Sequence, residues 1–524
     1  MLDFQTIMCY TIRMESNKET AGMQAEIERL KRENFYLAEQ LRLWKLRQFG
    51  PSSEKTAAIV DQVSLFNEAE AAADPELPEP DLDEVTPRRR KQKGKREKDF
   101  SALPVEQVIH ELPEGQQVCP ECDGPMHTCG HAVLRRELVV IPAKYVVREH
   151  VQTAYACRRC EKHAEPAPMK KSVVPAALIP GSGIASPSLL AQILNNKYTL
   201  ALPLYRQEQE FKRLGIALSR QTMANWVITA HQRYFKEIFD VLHAELLLNE
   251  ILHADETTLK VLREEGRKAK QKSYVWLYCT SRDAKRHISL YDYQPSRAGE
   301  CASDFLNGFK GKLHTDGYAA YHCKLPDDII VAGCWAHMRR YFTDTLKTVP
   351  ADIRTKIPAY IGLNYCDRLF ALEKKYKKQE LTAPERYDAR LRESVPVAEA
   401  FFAWAKKECE QWLLPKSAYG EALTYAVNQK SWLMNVFLDG RLELSNNRIE
   451  RNVRPFAVGR RNWLFCNTPN GADASATVYS IVETAKANGL KPFEYLLFLL
   501  ERLPQGAAAQ DCLPWSDDAQ MLCR

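Results

Sequence analysis

Five short apolar segments between residues 248 and 336 constrain the fold of this chain more than any other feature. Three follow one another, EILHADETTLKV, KSYVWLYCTS and RHISLYDYQ, and their β-branched and aromatic residues predict three successive strands. ASDFLNGF then predicts a helix, GKLHTDGY a fourth strand and DIIVAGCWAH a fifth. Strands mixed with helices in this way predict an α/β sheet that has helices packed on it.

The order of three strands, helix, strand, helix and strand is that of a ribonuclease-H-like sheet, in which the first and fourth strands are neighbours. Asp255 falls on the first strand and Asp316 at the end of the fourth, so their carboxylates are expected to converge. Residues 337–444 consist of amphipathic helical segments. We therefore expect an all-helical insertion between the first part of a catalytic core, 248–336, and its second part, 445–500.

A third acidic residue, Glu450, lies in ELSNNRIERNVRP, where polar residues precede a helical pattern. Ser445 or Asn446 is expected to cap a helix that extends through Arg454, with Glu450 one turn in. Two carboxylates on strands and one on a helix are oxygen ligands suited to Mg²⁺ or Mn²⁺. Such a set predicts phosphoryl transfer on nucleic acid with two divalent metals.

A cluster of arginines follows the glutamate, beside Trp463. Its members are Arg451, Arg454, Arg460 and Arg461. Cations beside catalytic carboxylates suit a phosphodiester substrate, because they position the backbone, and these arginines are therefore candidate DNA contacts. The alternative is an arginine-rich, solvated surface.

Two CxxC pairs lie in one small segment, which we assign to a zinc-binding module over residues 101–170. The pairs are Cys119 with Cys122 and Cys157 with Cys160. Each pair places two thiolates on one tight turn, and two pairs complete a closed, structural Zn²⁺ site. Residues 137–156 alternate like antiparallel strands, which suits a zinc ribbon. Four free cysteines are the alternative.

Residues 20–48 predict a coiled coil. The apolar heptad positions, with one asparagine among them, are Ile27, Leu30, Asn34, Leu37, Leu41 and Trp44. Asparagine at such a position favours a parallel dimer with a defined register, although an amphipathic helix packed on its own domain is the alternative. An acidic and then a basic run predict a linker over 49–100, and its basic block is either a non-specific phosphate contact or a solvated spacer.

Residues 171–247 have helical patterns. A polar cap at Ser219, a turn at Gly215 and an apolar face with Trp226 give the outline of a helix-turn-helix DNA-binding region. Packing of these helices against the next domain is the alternative. Residues 501–524 form a C-terminal tail in this division of the chain.

Composition excludes some classes of protein. Hydrophobic residues make up 45% and charged residues 27%, as in globular proteins, and the net charge of +6 argues only weakly for nucleic acid. Neither a long apolar run nor a secretory signal is evident. The 15 cysteines lack the density of a disulfide scaffold, so we expect a cytoplasmic protein.

Several blocks resemble the insertion-sequence-66-type DDE transposases of bacterial insertion sequences. The block around Glu450 is SNNRIERNVRPFAVGRRNWLF, and the others are HADET, HTDGYAAY, CWAHMRRYF and RQFGPSSEKT. The double CxxC module and the preceding coiled coil also resemble that family. The resemblance covers nearly the whole chain.

The resemblance implies that Asp255, Asp316 and Glu450 are the catalytic triad. It implies Mg²⁺-dependent cutting at the terminal inverted repeats of the element and joining of the free 3′-hydroxyls to target DNA. His337 and Arg340 would lie close to the site, where they could contact DNA or the triad. The expected partners are DNA, at least one further copy of the chain and accessory proteins of the same element.

Two other functions are compatible with the same residues. A ribonuclease-H-like endonuclease would hydrolyse phosphodiesters without joining strands. A non-catalytic regulator would use the zinc module, helix-turn-helix and coiled coil to bind DNA, but the acidic triad and the arginine-rich helix disfavour it.

Overall fold

A computed structural model describes residues 144–156, 169–347, 349–412 and 417–524, together with Met23, Glu26, Arg29, Leu30 and Leu37. The chain divides into two compact units, residues 49–174 and residues 175–524 together with 1–48. The five described N-terminal residues are helical, whereas the rest of the predicted coiled coil and the predicted linker lie outside the described residues. The four CxxC cysteines also lie outside them.

The described part of the smaller unit contains a short hairpin. Strand β1 (Ala154–Ala156) pairs antiparallel with β2 (Met169–Lys171). Residues 144–153 have no regular secondary structure, so the prediction of strands over 137–156 is wrong for that stretch. Its apolar side chains, among them Val147 at 91% exposure, pack on no buried face within the described residues. Alternation alone therefore did not produce a strand there.

Within residues 175–250, all of which the structure describes, four α-helices precede the main sheet. They are α1 (Pro187–Tyr198), α2 (Leu204–Arg213), α3 (Arg220–Ala230) and α4 (Lys236–Leu247). The predicted cap of α3 is confirmed, because Ser219 Oγ accepts a hydrogen bond from Thr222 N at 3.1 Å. Gly215 turns the chain between α2 and α3 with a φ of +78°, which favours glycine. Trp226 is buried, so one face of α3 packs on the core.

The main sheet has five strands in the order β5-β4-β3-β6-β7. Their bounds are β3 (Ile251–Lys260), β4 (Lys272–Thr280), β5 (Ser289–Gln294), β6 (Gly311–His314) and β7 (Ile329–Ala332). All five predicted strands are confirmed. Because β3 pairs antiparallel with β4 and parallel with β6, the first and fourth strands are neighbours, as the sequence predicted. His253 lies opposite His314 in that parallel register.

Helices connect β5 to β6 and β6 to β7, and a larger helical segment follows β7. The connecting helices are α5 (Gly299–Phe305) and α6 (Ala320–Cys323). The later ones are α7 (Trp335–Lys347), α8 (Pro358–Lys378), α9 (Ala383–Ala389), α10 (Val395–Trp412), α11 (Ala418–Asn428) and α12 (Lys430–Asn435). They enclose an apolar core of their own around Trp335, Phe342 and Phe401. Between β7 and residue 446 the described residues form no strand, in agreement with the predicted helical insertion.

Four helices complete the chain. They are α13 (Asn447–Trp463), α14 (Pro469–Ala487), α15 (Pro492–Arg502) and α16 (Asp517–Leu522). The prediction that the helix carrying Glu450 ends near Arg454 is wrong, since α13 continues past Pro455 for two more turns. Proline removes one helical hydrogen bond, but burial of Phe456 and Gly459 on the core side of the helix outweighs that loss.

Helix α14 covers the edge strand β5 through two hydroxyl groups. Ser480 Oγ accepts a hydrogen bond from Tyr291 N at 2.8 Å, and Thr484 Oγ1 accepts one from Ser289 N at 3.0 Å. Four residues along a helix and two along a strand both advance the chain by about 6–7 Å, so the two spacings match. The helix thereby satisfies backbone groups that an edge strand leaves unpaired.

No described helix is both long and apolar enough to span a lipid bilayer.

Candidate active site on the central strand

The first predicted acid, Asp255, lies halfway along β3, where the strand passes from full to partial burial. Its Oδ1 accepts a hydrogen bond from Glu256 N at 2.8 Å. Burial, the adjacent Glu256 and the charges of Asp316 and Glu450 hold the pKa of Asp255 well above its usual range. Asp316 and Glu450 therefore both lie close enough to Asp255 to affect its pKa.

The second predicted acid, Asp316, follows β6 by two residues, in a loop that the helical insertion supports. Tyr318 N donates a hydrogen bond to Asp316 Oδ1 at 2.9 Å, which orients the carboxylate. The ring of Tyr425 lies against the next residue, Gly317, where a Cβ atom would come within 2.6 Å of Tyr425 Cε2. Only glycine therefore lets the aspartate loop and helix α11 approach this closely.

The third predicted acid, Glu450, lies in the first turn of α13, and its side chain is 33% exposed. His337 Nε2 lies 3.6 Å and Arg340 Nη2 3.9 Å from Glu450 Oε1, too long for hydrogen bonds. That oxygen is buried and accepts no hydrogen bond within the described part of the chain. It is thus available to a further positively charged partner. Burial and the charge of Arg340 lower the pKa of His337, which favours a neutral imidazole.

Asn446, which is buried and is one of the two residues predicted to cap α13, links these elements. Asn446 makes no side-chain cap bond to α13. Its Nδ2 instead donates to Ala254 O at 3.1 Å, and its Oδ1 accepts from His253 Nδ1 at 2.9 Å. Its backbone N–H lies 3.1 Å from Cys334 Sγ. Asn446 therefore joins the strand of Asp255, the helix of Glu450 and the start of α7.

Two buried histidines lie beneath the site and were not predicted to do so. The rings of His253 and His314 are 5.0 Å apart and nearly perpendicular. Burial lowers the pKa of His253 to about 4 and that of His314 well below its usual range, so both rings are neutral near pH 7. A histidine near the start of the first predicted strand and another in the fourth were the sequence signal that could have indicated the pair.

The neighbouring acid of the HADET block, Glu256, has a different environment. Its side chain is 2% exposed and accepts hydrogen bonds from Arg297 Nε at 2.8 Å and from Tyr321 OH at 2.9 Å. Side chains alternate between the two faces of a strand, so Glu256 and Asp255 point to opposite sides of β3. Glu256 is thus already paired, whereas Asp255 has no cationic partner among the described residues.

The five candidate DNA-contacting arginines fall into two groups. Arg460 is partly buried, and its Nη1 donates to Thr257 Oγ1 and Thr258 Oγ1, both at 3.0 Å, and to Thr258 O. It therefore braces α13 against β3. The exposed group consists of Arg340, Arg451, Arg454 and Arg461.

The chemistry of the donor set decides which ion these residues could hold. In the described ranges, no three side chains of His, Cys, Asp and Glu are arranged as a complete metal site. The three carboxylates nevertheless offer only oxygen donors, and Glu450 Oε1 accepts no hydrogen bond there. Hard cations such as Mg²⁺ prefer such ligands and keep several waters of their own, so the residues fit a divalent cation.

Comparison with known proteins gives a consistent family. Residues 182–474 match the profile described as "Transposase IS66 family", and residues 480–515 match the "IS66 C-terminal element". Residues 116–161, which include all four CxxC cysteines, match the "zinc-finger binding domain of transposase IS66". Residues 36–108 match "Transposase C of IS166 homeodomain".

Curated relatives in Sinorhizobium fredii match over most of their length. One, named "Uncharacterized protein y4qI", is 29% identical over 96% of this chain and 94% of its own. Another, "Uncharacterized protein y4jD", is 30% identical over 79% of this chain and 80% of its own. The similarity therefore spans the N-terminal segments as well as the sheet and the carboxylates.

Proposed function

This chain belongs to the IS66 transposase family, and from that premise we propose that it cuts DNA at the terminal inverted repeats of its element and joins the freed 3′-hydroxyls to target DNA. The observation that carries the proposal is the electrostatic cluster of Asp255, Asp316 and Glu450. Burial raises the pKa of Asp255, and the charges of Glu256, Asp316 and Glu450 raise it further, whereas no cation pairs with Asp255 among the described residues. A site of this kind is suited to cations and to the phosphodiesters that cations activate.

We propose a ribonuclease-H-like catalytic core formed by residues 248–336 and 445–500. The strand order β5-β4-β3-β6-β7 supports this assignment, because β3, which carries Asp255, is adjacent to β6, which leads into Asp316. The position of Glu450 on a helix that packs against β3 supports it further.

The proposed roles follow from the environment of each residue. Asp255, Asp316 and Glu450 would hold Mg²⁺ or Mn²⁺, which when bound supplies activation of the attacking oxygen and stabilisation of the leaving oxygen. Arg340 beside Glu450, and exposed Arg451, would position the phosphate backbone.

The remaining assignments rest mainly on the family profiles. We propose that Cys119, Cys122, Cys157 and Cys160 hold one structural Zn²⁺ within a module over 101–170, which the zinc-finger profile supports. We further propose that residues 20–48 join two chains. Helices α2 and α3, with their glycine turn and exposed basic residues, would form the helix-turn-helix contact with DNA.

The triad is tested by isosteric substitution. Asp255→Asn, Asp316→Asn and Glu450→Gln each remove a metal-binding charge with little change of shape. Each should reduce cleavage and joining by at least about 10³-fold, because a two-metal site loses one of its ligands. Binding to the inverted repeats that flank the reading frame should persist. Asp240→Asn on α4, whose carboxylate is exposed and pairs with Lys236, is the matched control.

Joining and hydrolysis are separated with pre-cut ends. A transposase joins the 3′-hydroxyl of such an end to a target duplex, whereas an endonuclease releases only hydrolysed strands. Full strand transfer by any triad variant would remove that residue from the site. Hydrolysis without any joining by the wild type would favour the endonuclease.

A further inference from the structure

One face of α7 meets the carboxylate cluster. Arg340 and Tyr341 follow His337 by three and four residues, so both lie on the same side of the helix as His337. His337 and Arg340 lie 3.6 Å and 3.9 Å from Glu450 Oε1. The third side chain, Tyr341, has no role in the chemistry proposed above.

Tyr341 has an aromatic surface that is supported from one side. Its ring lies on the ring of Tyr425 with centroids 4.5 Å apart and an interplanar angle of 31°. Tyr425 in turn lies against Gly317, next to Asp316. Burial, with smaller contributions from Glu421 and Asp316, raises the pKa of Tyr341. The ring of Tyr341 is therefore held beside the second carboxylate.

The ring is nevertheless accessible, because Tyr341 is 37% exposed. Arg340, the preceding residue, is also exposed, and its side chain is 51% accessible. A guanidinium next to an accessible aromatic face matches the two parts of a nucleotide, since the first binds phosphate and the second stacks on a base. Packing of α7 on the helical core does not require this exposure, because Trp335, Met338 and Phe342 provide that contact.

We infer that Arg340 and Tyr341 form a nucleotide subsite, in which Tyr341 stacks on an unpaired base of the DNA strand and Arg340 contacts the adjoining phosphate. This inference rests on the proposed function, since it places the subsite next to the phosphate that is cut. Bases inside a duplex already stack on each other, so an aromatic side chain gains this contact only with a base that has left the duplex. The subsite therefore selects frayed or single-stranded DNA at the cut end.

The experiment measures binding in full-length Asp255→Asn protein, in which chemistry is blocked. The probes are a duplex with a short single-stranded 3′ extension carrying 2-aminopurine and the same duplex with a blunt end. We expect tighter binding of the extended probe, with quenching of the 2-aminopurine fluorescence. Adding Tyr341→Ala should weaken binding of the extended probe about tenfold and change blunt-end binding by less than about twofold.

Tyr341→Phe and Tyr341→Trp should retain both the preference and the quenching, because each keeps an aromatic face. Tyr341→Leu keeps apolar bulk without a ring and should behave like Tyr341→Ala, which covers the case in which the alanine variant does not fold. Arg340→Ala should weaken binding of both probes, since phosphates are present in each.

Tyr387→Ala is the matched control, because Tyr387 is 36% exposed on α9 and has no contact with the carboxylates among the described residues. An unchanged probe preference in Tyr341→Ala or in Tyr341→Leu, or an equal loss in Tyr341→Phe, would overturn the subsite. If one of these outcomes is found and the wild type nevertheless cuts DNA, only the nucleotide subsite is ruled out. If the wild type neither binds nor cuts, the proposed function fails with it.

Discussion

His253 Nδ1 donates a hydrogen bond to Asn446 Oδ1 at 2.9 Å, although the two residues are 193 positions apart in the chain. The side chain of Asn446 also donates to Ala254 O, next to Asp255, and the backbone oxygen of Asn446 accepts from Glu450 N at 3.3 Å. One residue thus connects the neighbours of the first and third carboxylates. We regard Asn446 as a positioning residue, since its hydrogen bonds go to His253, to Ala254 O and to Glu450 N, and none of these is a carboxylate oxygen.

Asn446→Ala should lower both stability and cleavage. It leaves the His253 N–H and the Ala254 carbonyl buried without partners, which is expected to reduce the free energy of unfolding by roughly 2–4 kcal/mol. A shift in carboxylate spacing should also reduce cleavage and Mn²⁺ affinity by about 10–100-fold, as for other residues that orient metal ligands. Urea unfolding, strand-cleavage rates and calorimetric Mn²⁺ binding measure the three effects.

Asn435→Ala is the control for that prediction. Asn435 Nδ2 donates one hydrogen bond to Val331 O at 2.8 Å on the edge strand β7. Its loss should lower stability without changing Mn²⁺ affinity. Equal Mn²⁺ affinity in both variants would show that Asn446 is a structural residue only.

Asp255→Asn should make the protein more stable, and increasingly so as the pH rises. Because the pKa of Asp255 is higher in the folded than in the unfolded chain, the folded state binds the extra proton between those two values. The wild type therefore loses stability as the pH rises from the pKa of Asp255 in the unfolded chain, about 4, towards its pKa in the folded chain. Asparagine does not titrate, so Asp255→Asn avoids that loss. Each pKa unit of difference corresponds to about 1.4 kcal/mol.

Urea unfolding at about pH 5 and about pH 8, without added divalent cations, measures the difference in free energy of unfolding between Asp255→Asn and the wild type. This difference should be larger at the higher pH. Adding Mg²⁺ should then stabilise the wild type and leave Asp255→Asn nearly unchanged, since a ligand stabilises only a state that binds it. A difference that becomes smaller as the pH rises would contradict the raised pKa of Asp255.

Ser480→Ala and Thr484→Val should each destabilise the edge of the sheet by about 1–3 kcal/mol, because a buried backbone N–H loses its acceptor. The affected groups are the N–H groups of Tyr291 and Ser289. Amide hydrogen exchange at these two positions should accelerate, whereas the amides of central strand β3 serve as an internal reference. Unchanged exchange at Ser289 and Tyr291 would show that β5 does not depend on α14.

Zinc removal tests the module that lies outside the described residues. Metal analysis should find about one Zn²⁺ per chain, and Cys157→Ser should lose it, because a site of four thiolates needs all its ligands. Binding to the element ends should fall, while joining of a pre-bound, pre-cut end should fall less. A folded protein that contains no zinc would rule out the site.

The double substitution Leu30→Lys and Leu37→Lys should dissociate the predicted coiled coil, because it places charges in the apolar seam. Met23, Leu30 and Leu37 are seven residues apart, helical and 50–59% exposed in the single chain, as expected for a seam that a second chain would cover. Sedimentation without DNA should show a smaller oligomer for the variant than for the wild type. Leu214→Lys with Leu248→Lys, at 51% and 78% exposure, is the control.

If wild type and the Leu30/Leu37 variant sediment alike, the segment is better described as an intrachain amphipathic helix. A helix of about four turns is marginal alone, so the comparison belongs at several protein concentrations.

The positions of the five strands along the chain and of Asp255 on β3 were determined by the sequence alone, because β-branched and apolar periodicity acts locally. The same local patterns identified the helical insertion and the start of α3 at Ser219. Placing Asp316 after a strand adjacent to β3 needed only the order of the elements. For these features each residue's neighbours in sequence carry the necessary signal.

Only the tertiary structure decided what Asn446 and Arg460 do. Their side chains bond to residues about 190 and 200 positions away, so no local pattern distinguishes them from a helix cap and a DNA contact. The continuation of α13 past Pro455 was decided in the same way, by burial of Phe456 in the packed core. Hydrogen bonds and burial between distant segments depend on how the elements pack, and packing is a property of the whole fold.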